Sequence, residues 1–235
     1  MGPLQALSRA LLALLLLAAA GCATTAGNPD PWEGLNRKTY AFNEELDKYV
    51  MKPVAQGYVK AVPAPAREGV NNFFSNIEDV ATSLNNVLQG KMTDGINDAG
   101  RVVVNTLFGV FGLWDVATPL GLEKHYEDFG QTLGWWGVQP GPYLVLPFLG
   151  PSTLRDAPAK AVDPQWYYAN HVDPERLYWG LWTLDKVRTR ANLLQAESVL
   201  DQAALDRYSF IRDAWLQRRR SQVYDGNPPR VKEEE

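Results

Sequence analysis

The sequence predicts a mainly α-helical chain, folded as a single domain about a bent centre rich in Gly and Pro. Three observations carry that reading. Five stretches (33–52, 77–90, 92–109, 179–204 and 206–220) place apolar residues three and four apart, the spacing of a helix with one apolar face. Between the third and fourth, the stretch from Arg101 to Asp156 carries Gly at 109, 112, 121, 130, 134, 137, 141 and 150 and Pro at 119, 140, 142, 147 and 151, which forbids a long uninterrupted helix. From Asp30 to Arg220 there is neither an internal repeat nor a linker, and about 190 residues suit one domain.

The chain opens with a secretory signal. Residues 1–21 hold one basic side chain, Arg9, then the apolar run Leu11 to Ala20, and end at Ala19-Ala20-Gly21-Cys22. Ten apolar residues are too few to span a bilayer. Cys22 is the single cysteine, so no internal disulfide exists, and a small-small-Cys ending looks like a lipobox whose thiol is acylated. Ala19 departs from the usual Leu of that motif, and Ala23 rather than Asp follows the cysteine, which points to the outer membrane. Residues 22–29 form a short lipidated tether, 30–220 the helical domain, and 221–235, with Pro228-Pro229 and three final glutamates, a disordered tail. Removal of the signal takes Arg9 and no acid, leaving 22 basic against 27 acidic residues, a net −5. That balance argues against nucleic acid as a partner.

Leu35, Phe42, Leu46, Tyr49 and Val50 mark the first helix, which Pro53 is expected to end. Val62 to Phe73, with Pro63 and Pro65, reads as a stiff turn feeding a further helix, and the clearest helix follows, where Ile77, Val80, Ala81, Leu84, Val87 and Leu88 form the stripe and Gly90 the stop. Met92, Ile96, Ala99, Val103 and Leu107 repeat the pattern. The apolar segments of the centre are shorter than the roughly 18 residues a membrane span requires, which leaves two readings, a compact bend-rich core or a membrane-dipping element. Two aromatic clusters, Trp166 to Tyr168 and Tyr178 to Trp182, suit a core and a membrane interface equally. Leu181, Leu184, Ala191 and Leu194 mark the fourth helix; Tyr208, Ile211 and Trp215 mark the last. Arg218-Arg219-Arg220 is either a solvated helix end or a contact for phosphate headgroups or an acidic partner.

No catalytic constellation emerges. Two histidines and no free thiol after acylation leave little to build one from. His125, in Glu123-Lys124-His125-Tyr126-Glu127-Asp128, reads as solvated loop rather than a metal or acid–base site, and His171 as a turn. Nucleophile-elbow, zinc-protease and phosphate-loop motifs are absent. The chain is therefore read as a non-enzyme without metal or cofactor. It is either a lipid-handling membrane protein or a structural or adaptor lipoprotein of the periplasm with a dry core and a protein partner. Where the apolar helix faces point discriminates the two.

Residue order adds a resemblance. Asp30-Pro31-Trp32-Glu33-Gly34-Leu35-Asn36-Arg37 with Tyr40 and Phe42-Asn43; Arg101, Asn105, Thr106, Gly109, Gly112 and Asp115-Val116-Ala117; Glu127 to Gly134; Gly141-Pro142-Tyr143 with Leu146-Pro147; and Gly150 to Asp156 resemble the VacJ/MlaA family of outer-membrane lipoproteins. The resemblance implies a ring of amphipathic helices in the inner leaflet of the Gram-negative outer membrane. It further implies association with a porin trimer, removal of misplaced phospholipid from the outer leaflet through an amphipathic channel, and delivery to a soluble periplasmic lipid-binding protein. The segment Leu113 to Phe129 beside that channel would be a mobile hairpin, with Gly112, Gly121 and Gly130 as hinges, Pro119 as stiffener, Leu113 and Trp114 toward acyl chains, its polar end Glu123 to Asp128 toward headgroups or water, and Leu122 as a position at which to pin it.

Overall fold

A computed structural model describes residues 28–160, 175–203 and 205–229. The signal, Cys22, the cluster at 163–168 and His171 lie outside the described residues. The order is α1 (Glu33–Leu46), a π turn (Asp47–Met51), α2 (Lys52–Ala61), α3 (Ala64–Leu88), α4 (Met92–Phe108), a 3₁₀ turn (Thr118–Leu120), α5 (Phe129–Trp135), β1 (Tyr143–Leu146), β2 (Gly150–Thr153), α6 (Glu175–Ala203) and α7 (Arg207–Val223). The chain is mainly α. The two strands form an antiparallel hairpin pairing Tyr143 with Thr153, an element that short Gly/Pro-bounded runs did not announce.

Pro53 does not end the first helix. The preceding turn widens to π geometry, Lys52 N–H reaching back to Asp47 O. Pro53 then falls in the first turn of α2, where its missing N–H has no partner to lose. Pro63 and Gly90 behave as their chemistry dictates. Pro63, at φ −58°, caps α3, and Gly90, at φ +80°, follows its last turn. Asp206 caps α7, its carboxylate accepting N–H bonds from Tyr208 (3.1 Å) and Ser209 (3.4 Å). That helix passes Arg220 to a buried Val223, and Lys91 Nζ donates to Asp225 (2.5 Å) beyond it, so Ser221 to Asp225, expected to be disordered, belong to the folded body.

Packing closes into a circuit. Helix α2 lies on α6, α6 meets α3, α3 pairs with α4 and touches α5, and α5 touches α7. Helix α7 returns to α1, where Arg37 pairs with Asp206 at 2.6 Å and the rings of Tyr40 and Tyr208 meet edge to face at 5.6 Å. A small apolar cluster of Tyr143, Val145 and Tyr208, flanked by Tyr40, Trp215 and Leu216, fills the corner between α1, the hairpin and α7.

Elsewhere the usual arrangement is inverted. Ile96, Leu107 and Phe108 are 71%, 69% and 72% exposed, whereas Asp79 and Asp98 are 0% and Arg101 is 1% exposed. Leu84, Val87, Leu88, Met92 and Val103 join the outward face of the α3–α4 pair, as do Leu35, Phe42, Tyr49 and Val50 on α1. The apolar stripes of α1, α3 and α4 are thus outer surface, whereas Tyr208 and Trp215 of α7 pack inward, and the polar residues between the α3 and α4 stripes are buried. So much contiguous apolar surface marks contact with a membrane or a protein rather than with water. No described helix is long and apolar enough to cross a membrane.

Candidate functional site

The inner face starts where α3 and α4 meet. A Cβ at Gly95 would lie 2.7 Å from Val87 Cγ2, so the helices approach closely there. Their contacts are polar: Asn86 Nδ2 donates to Asp98 (2.8 Å), Ser83 Oγ to Gly95 O (2.7 Å), Asn76 Nδ2 to Thr106 Oγ1 (3.0 Å) and Arg101 Nε to Asp79 (3.2 Å). Polar groups this deep persist because they are paired.

Arg101 and Asn105 then clasp the segment that follows. Arg101 Nη1 donates to Thr118 Oγ1 (2.9 Å) and to Leu122 O (2.7 Å), and Nη2 donates to Asp115 (3.1 Å). Asn105 Oδ1 accepts the N–H groups of Val116 (2.8 Å) and Ala117 (2.9 Å), while its amide donates to Asp115 (3.2 Å). Burial alone would raise the Asp115 carboxyl, but hydrogen bonds from Thr118 and Arg101 outweigh it and hold the group at about 2. Leu113, Trp114, Pro119 and Leu120 project outward from this clasp, and Leu122 is half-buried, its Cδ1 3.8 Å from where a Cβ at Gly100 would sit.

The three glycines expected as hinges differ. Gly112 (φ +86°) and Gly121 (φ +85°) both occupy backbone geometry that favours glycine. Gly121 stands in open space, but a Cβ at Gly112 would come within 2.8 Å of Asn76. Gly130 lies apart, buried at the start of α5 beneath a cluster of ions, where a Cβ would meet Arg219 Nη2 at 2.4 Å and Asp156 Oδ1 at 2.5 Å. The structure therefore gathers Gly112, Leu113, Trp114, Pro119, Gly121 and Leu122 into one clasped loop and gives Gly130 a different task, close packing. Cys22 falls outside the described residues.

The polar run 123–128 turns inward. Lys124 pairs with Asp79, His125 Nδ1 lies 3.1 Å from Asp98, and Glu127 accepts from Gln89 (2.7 Å) and Lys91 (3.1 Å). Only Glu123 and Tyr126 are fully exposed. Burial pushes both Asp98 and Glu127 upward despite these partners. Asp128 caps α5 through Gln131 N–H (2.9 Å) and receives both ends of Arg219 (2.5 and 2.6 Å). Arg219 also reaches Asp156 (2.9 Å), which Arg155 holds from the other side (2.8 Å). Burial would raise Asp128 and Asp156, yet the guanidinium groups win and both are depressed.

Three cavities follow α7 and share Arg218 and Gln222. One, about 440 Å³, is bounded by Asp128, Asp156, Lys160, Lys186, Trp215 and Arg219; one of about 380 Å³ by Lys124, His125, Glu127 and Asp225; one of about 500 Å³ by Ala214, Gln217 and Ser221. Arg218 and Arg219, indistinguishable in the sequence run, thus part company: Arg219 is buried in the ion cluster and Arg218 lines all three spaces. Among the described residues, no group of three or more His, Cys, Asp or Glu side chains could hold a metal ion. Arg101, Asn105, Asp79 and Asp98 carry the clasp and the inner face, roles that sequence reasoning missed. Their signal was the polar spacing 79, 82, 86, 89 and 98, 101, 105, which recurs at three and four beside the apolar stripes.

Comparison with known proteins gives consistent results. The family described as MlaA lipoprotein matches residues 28–222. The intermembrane phospholipid transport system lipoprotein MlaA of Escherichia coli K12 is 39% identical over 210 residues, covering 84% of this chain and 81% of that protein. The protein of the same name from Haemophilus influenzae is 31% identical over 217 residues, covering 87% and 83%. A solved structure reported as the structural basis for maintenance of bacterial outer membrane lipid asymmetry superposes with a TM-score of 0.71 at 36% identity, covering 84% of this chain and 99% of that one.

Proposed function

Because the chain belongs to the MlaA lipoprotein family, we propose that it transports phospholipid between membranes and so maintains outer-membrane lipid asymmetry. The observation that carries this is the inverted packing. Apolar side chains face outward around a closed circuit of helices, while charged and amide groups face the interior, an arrangement suited to acyl chains outside and a headgroup within. In this reading the body sits in the inner leaflet, held by acyl chains on Cys22. A phospholipid misplaced in the outer leaflet enters between the helices, its headgroup follows the cavities along α7, and a soluble periplasmic lipid-binding protein receives it. A porin trimer holds the body at its depth. The steps are binding and release, without covalent chemistry.

The loop from Gly112 to Leu122 is the moving part of this reading, and its clasp defines the closed position. Arg101 must release Asp115, Thr118 and Leu122 for the loop to swing about Gly112 and Gly121. A disulfide between Leu122→Cys and Gly100→Cys tests it. Oxidation should abolish removal of outer-leaflet phospholipid in cells, and reduction should restore it. Full activity of the crosslinked protein would overturn the moving loop.

A further inference from the structure

The cavity of about 440 Å³ between α6, α7 and the strand hairpin has an unbalanced lining. Four cations, Lys160, Lys186, Arg218 and Arg219, face two carboxylates, Asp128 and Asp156. Both carboxylates are committed, Asp156 to Arg155 and Arg219 and Asp128 to Arg219 and the first turn of α5. Neither hydrogen-bonds Lys160 among the described residues; its half-buried ammonium donates there to the carbonyl oxygens of Leu149 (3.3 Å) and Pro151 (2.5 Å) and lies 5.9 Å from the centre of the Trp215 ring. Lys186 has its neighbour Asp185 at 3.1 Å; Arg218 has no ion pair among the described residues.

We propose that this cavity is a phosphate subsite, with Lys160 at its centre and Lys186 and Arg218 beside it, that selects phospholipid headgroups lacking an ammonium group. The proposal rests on the transport reading and names its ligand. A phosphodiester supplies one of the two missing negative charges and acceptors for the third ammonium proton and the guanidinium fork. A headgroup amine would meet cations with no free carboxylate to receive it. Leu149 and Trp215 in the same lining give the glycerol and first methylenes an apolar surface, and Leu149 is itself exposed, so the polar space opens onto the outward apolar face.

The protonation of Lys160 agrees. Burial and the nearby Arg219 lower its ammonium to about 8; Asp156 and Asp128 offset part of this and Lys186 adds to it. A bound phosphate raises it again, so binding above pH 8 takes up a proton and weakens as pH climbs.

The test uses full-length protein in detergent with mixed micelles of phosphatidylglycerol and phosphatidylethanolamine, bound lipid being read by native mass spectrometry. The wild type should carry phosphatidylglycerol over phosphatidylethanolamine by about tenfold at pH 7, because the phosphate is common to both and only the ethanolamine ammonium is repelled by the cations of the lining. Lys160→Met should lose that preference, Lys160→Arg should keep it, and between pH 7 and 9.5 it should fall in the wild type but not in Lys160→Arg. Thermal unfolding shows whether each variant is folded, and Lys186→Met supplies a second loss of charge should Lys160→Met fail. Equal binding of both lipids by the wild type, undiminished lipid transfer accompanying it, would overturn the subsite and leave transport standing. Displacement of the preferred lipid by inorganic phosphate at equal concentration would assign the site to free phosphate and overturn headgroup selection. A wild type that neither holds nor transfers any phospholipid would remove the transport reading beneath it.

Discussion

Gly130→Ala isolates the ion cluster that joins α5 and α7. The added methyl would lie 2.4 Å from Arg219 Nη2 and 2.5 Å from Asp156 Oδ1, both nearer than a carbon can rest, and 3.1 Å from Asp128 Oδ1, a tight contact. Arg219 is hemmed in by its own bonds to both carboxylates, so relief requires breaking at least one arm of a buried pair, about 3–5 kcal/mol. Alanine is the better helix former by about 1 kcal/mol, which leaves a net loss of about 2–4 kcal/mol. At about 2–4 °C per kcal/mol for a domain of this size, the thermal midpoint should fall by roughly 5–15 °C. Gly57→Ala in exposed α2 has nothing within 4 Å of its new methyl and should instead gain up to about 1 kcal/mol. Circular dichroism of both variants in the same detergent makes the comparison. A Gly130→Ala protein as stable as Gly57→Ala would refute the close-packing argument and return Gly130 to the role of a hinge.

Cys22→Ala should release the protein from outer-membrane fractions or halt its maturation; quantitative retention with full complementation of a deletion would end the anchor reading. Leu107→Lys with Phe108→Lys should leave the thermal midpoint in detergent within about 1 kcal/mol, because both side chains are exposed, yet strip the delipidated body of its affinity for vesicles. Vesicle binding equal to wild type would place that face away from lipid. Acid should destabilise the protein in a defined window. Asp115, Asp128 and Asp156 are depressed in the folded state, so their stabilisation is complete above the ordinary carboxyl value near 3.8 and is lost as pH falls through their lower values. Asp98 and Glu127, raised by burial, titrate the other way and blunt the loss at its start. Unfolding midpoints should drop below pH 4, and less so in Asp156→Asn; an equal drop in that variant would disprove the assignment.

The helices were legible in the sequence because their caps and stripes are local. Pro63, Gly90 and Asp206 punctuate the chain where local chemistry says they should. The orientation of those helices was not legible. The stripe of Leu84, Val87 and Leu88 has the same period whether it faces protein, lipid or water, and only the pairing of Asp79 with Arg101, 22 residues apart, decides the matter. Pro53 misled because the π turn that accommodates it arises from backbone geometry without a residue signature. The divergence of Arg218 from Arg219 depends on Asp128 and Asp156, far away in the chain and brought to α7 by the bent centre. Of the expected site, the loop from Gly112 to Leu122 could be outlined in advance, whereas its clasp by Arg101 and Asn105 required the fold.

On the proposed membrane reading, the outward placement of Ile96, Leu107 and Phe108 means that water is not the reference solvent for this protein's stability. In water the hydrophobic effect would draw those stripes together and expel the amides and ions between them, opposing the closed circuit; in acyl chains that pull vanishes and the paired polar groups have no other partners to seek. Folding and delivery are therefore one problem. On that reading, the apolar faces of α1, α3 and α4 must be covered by a partner between synthesis and membrane.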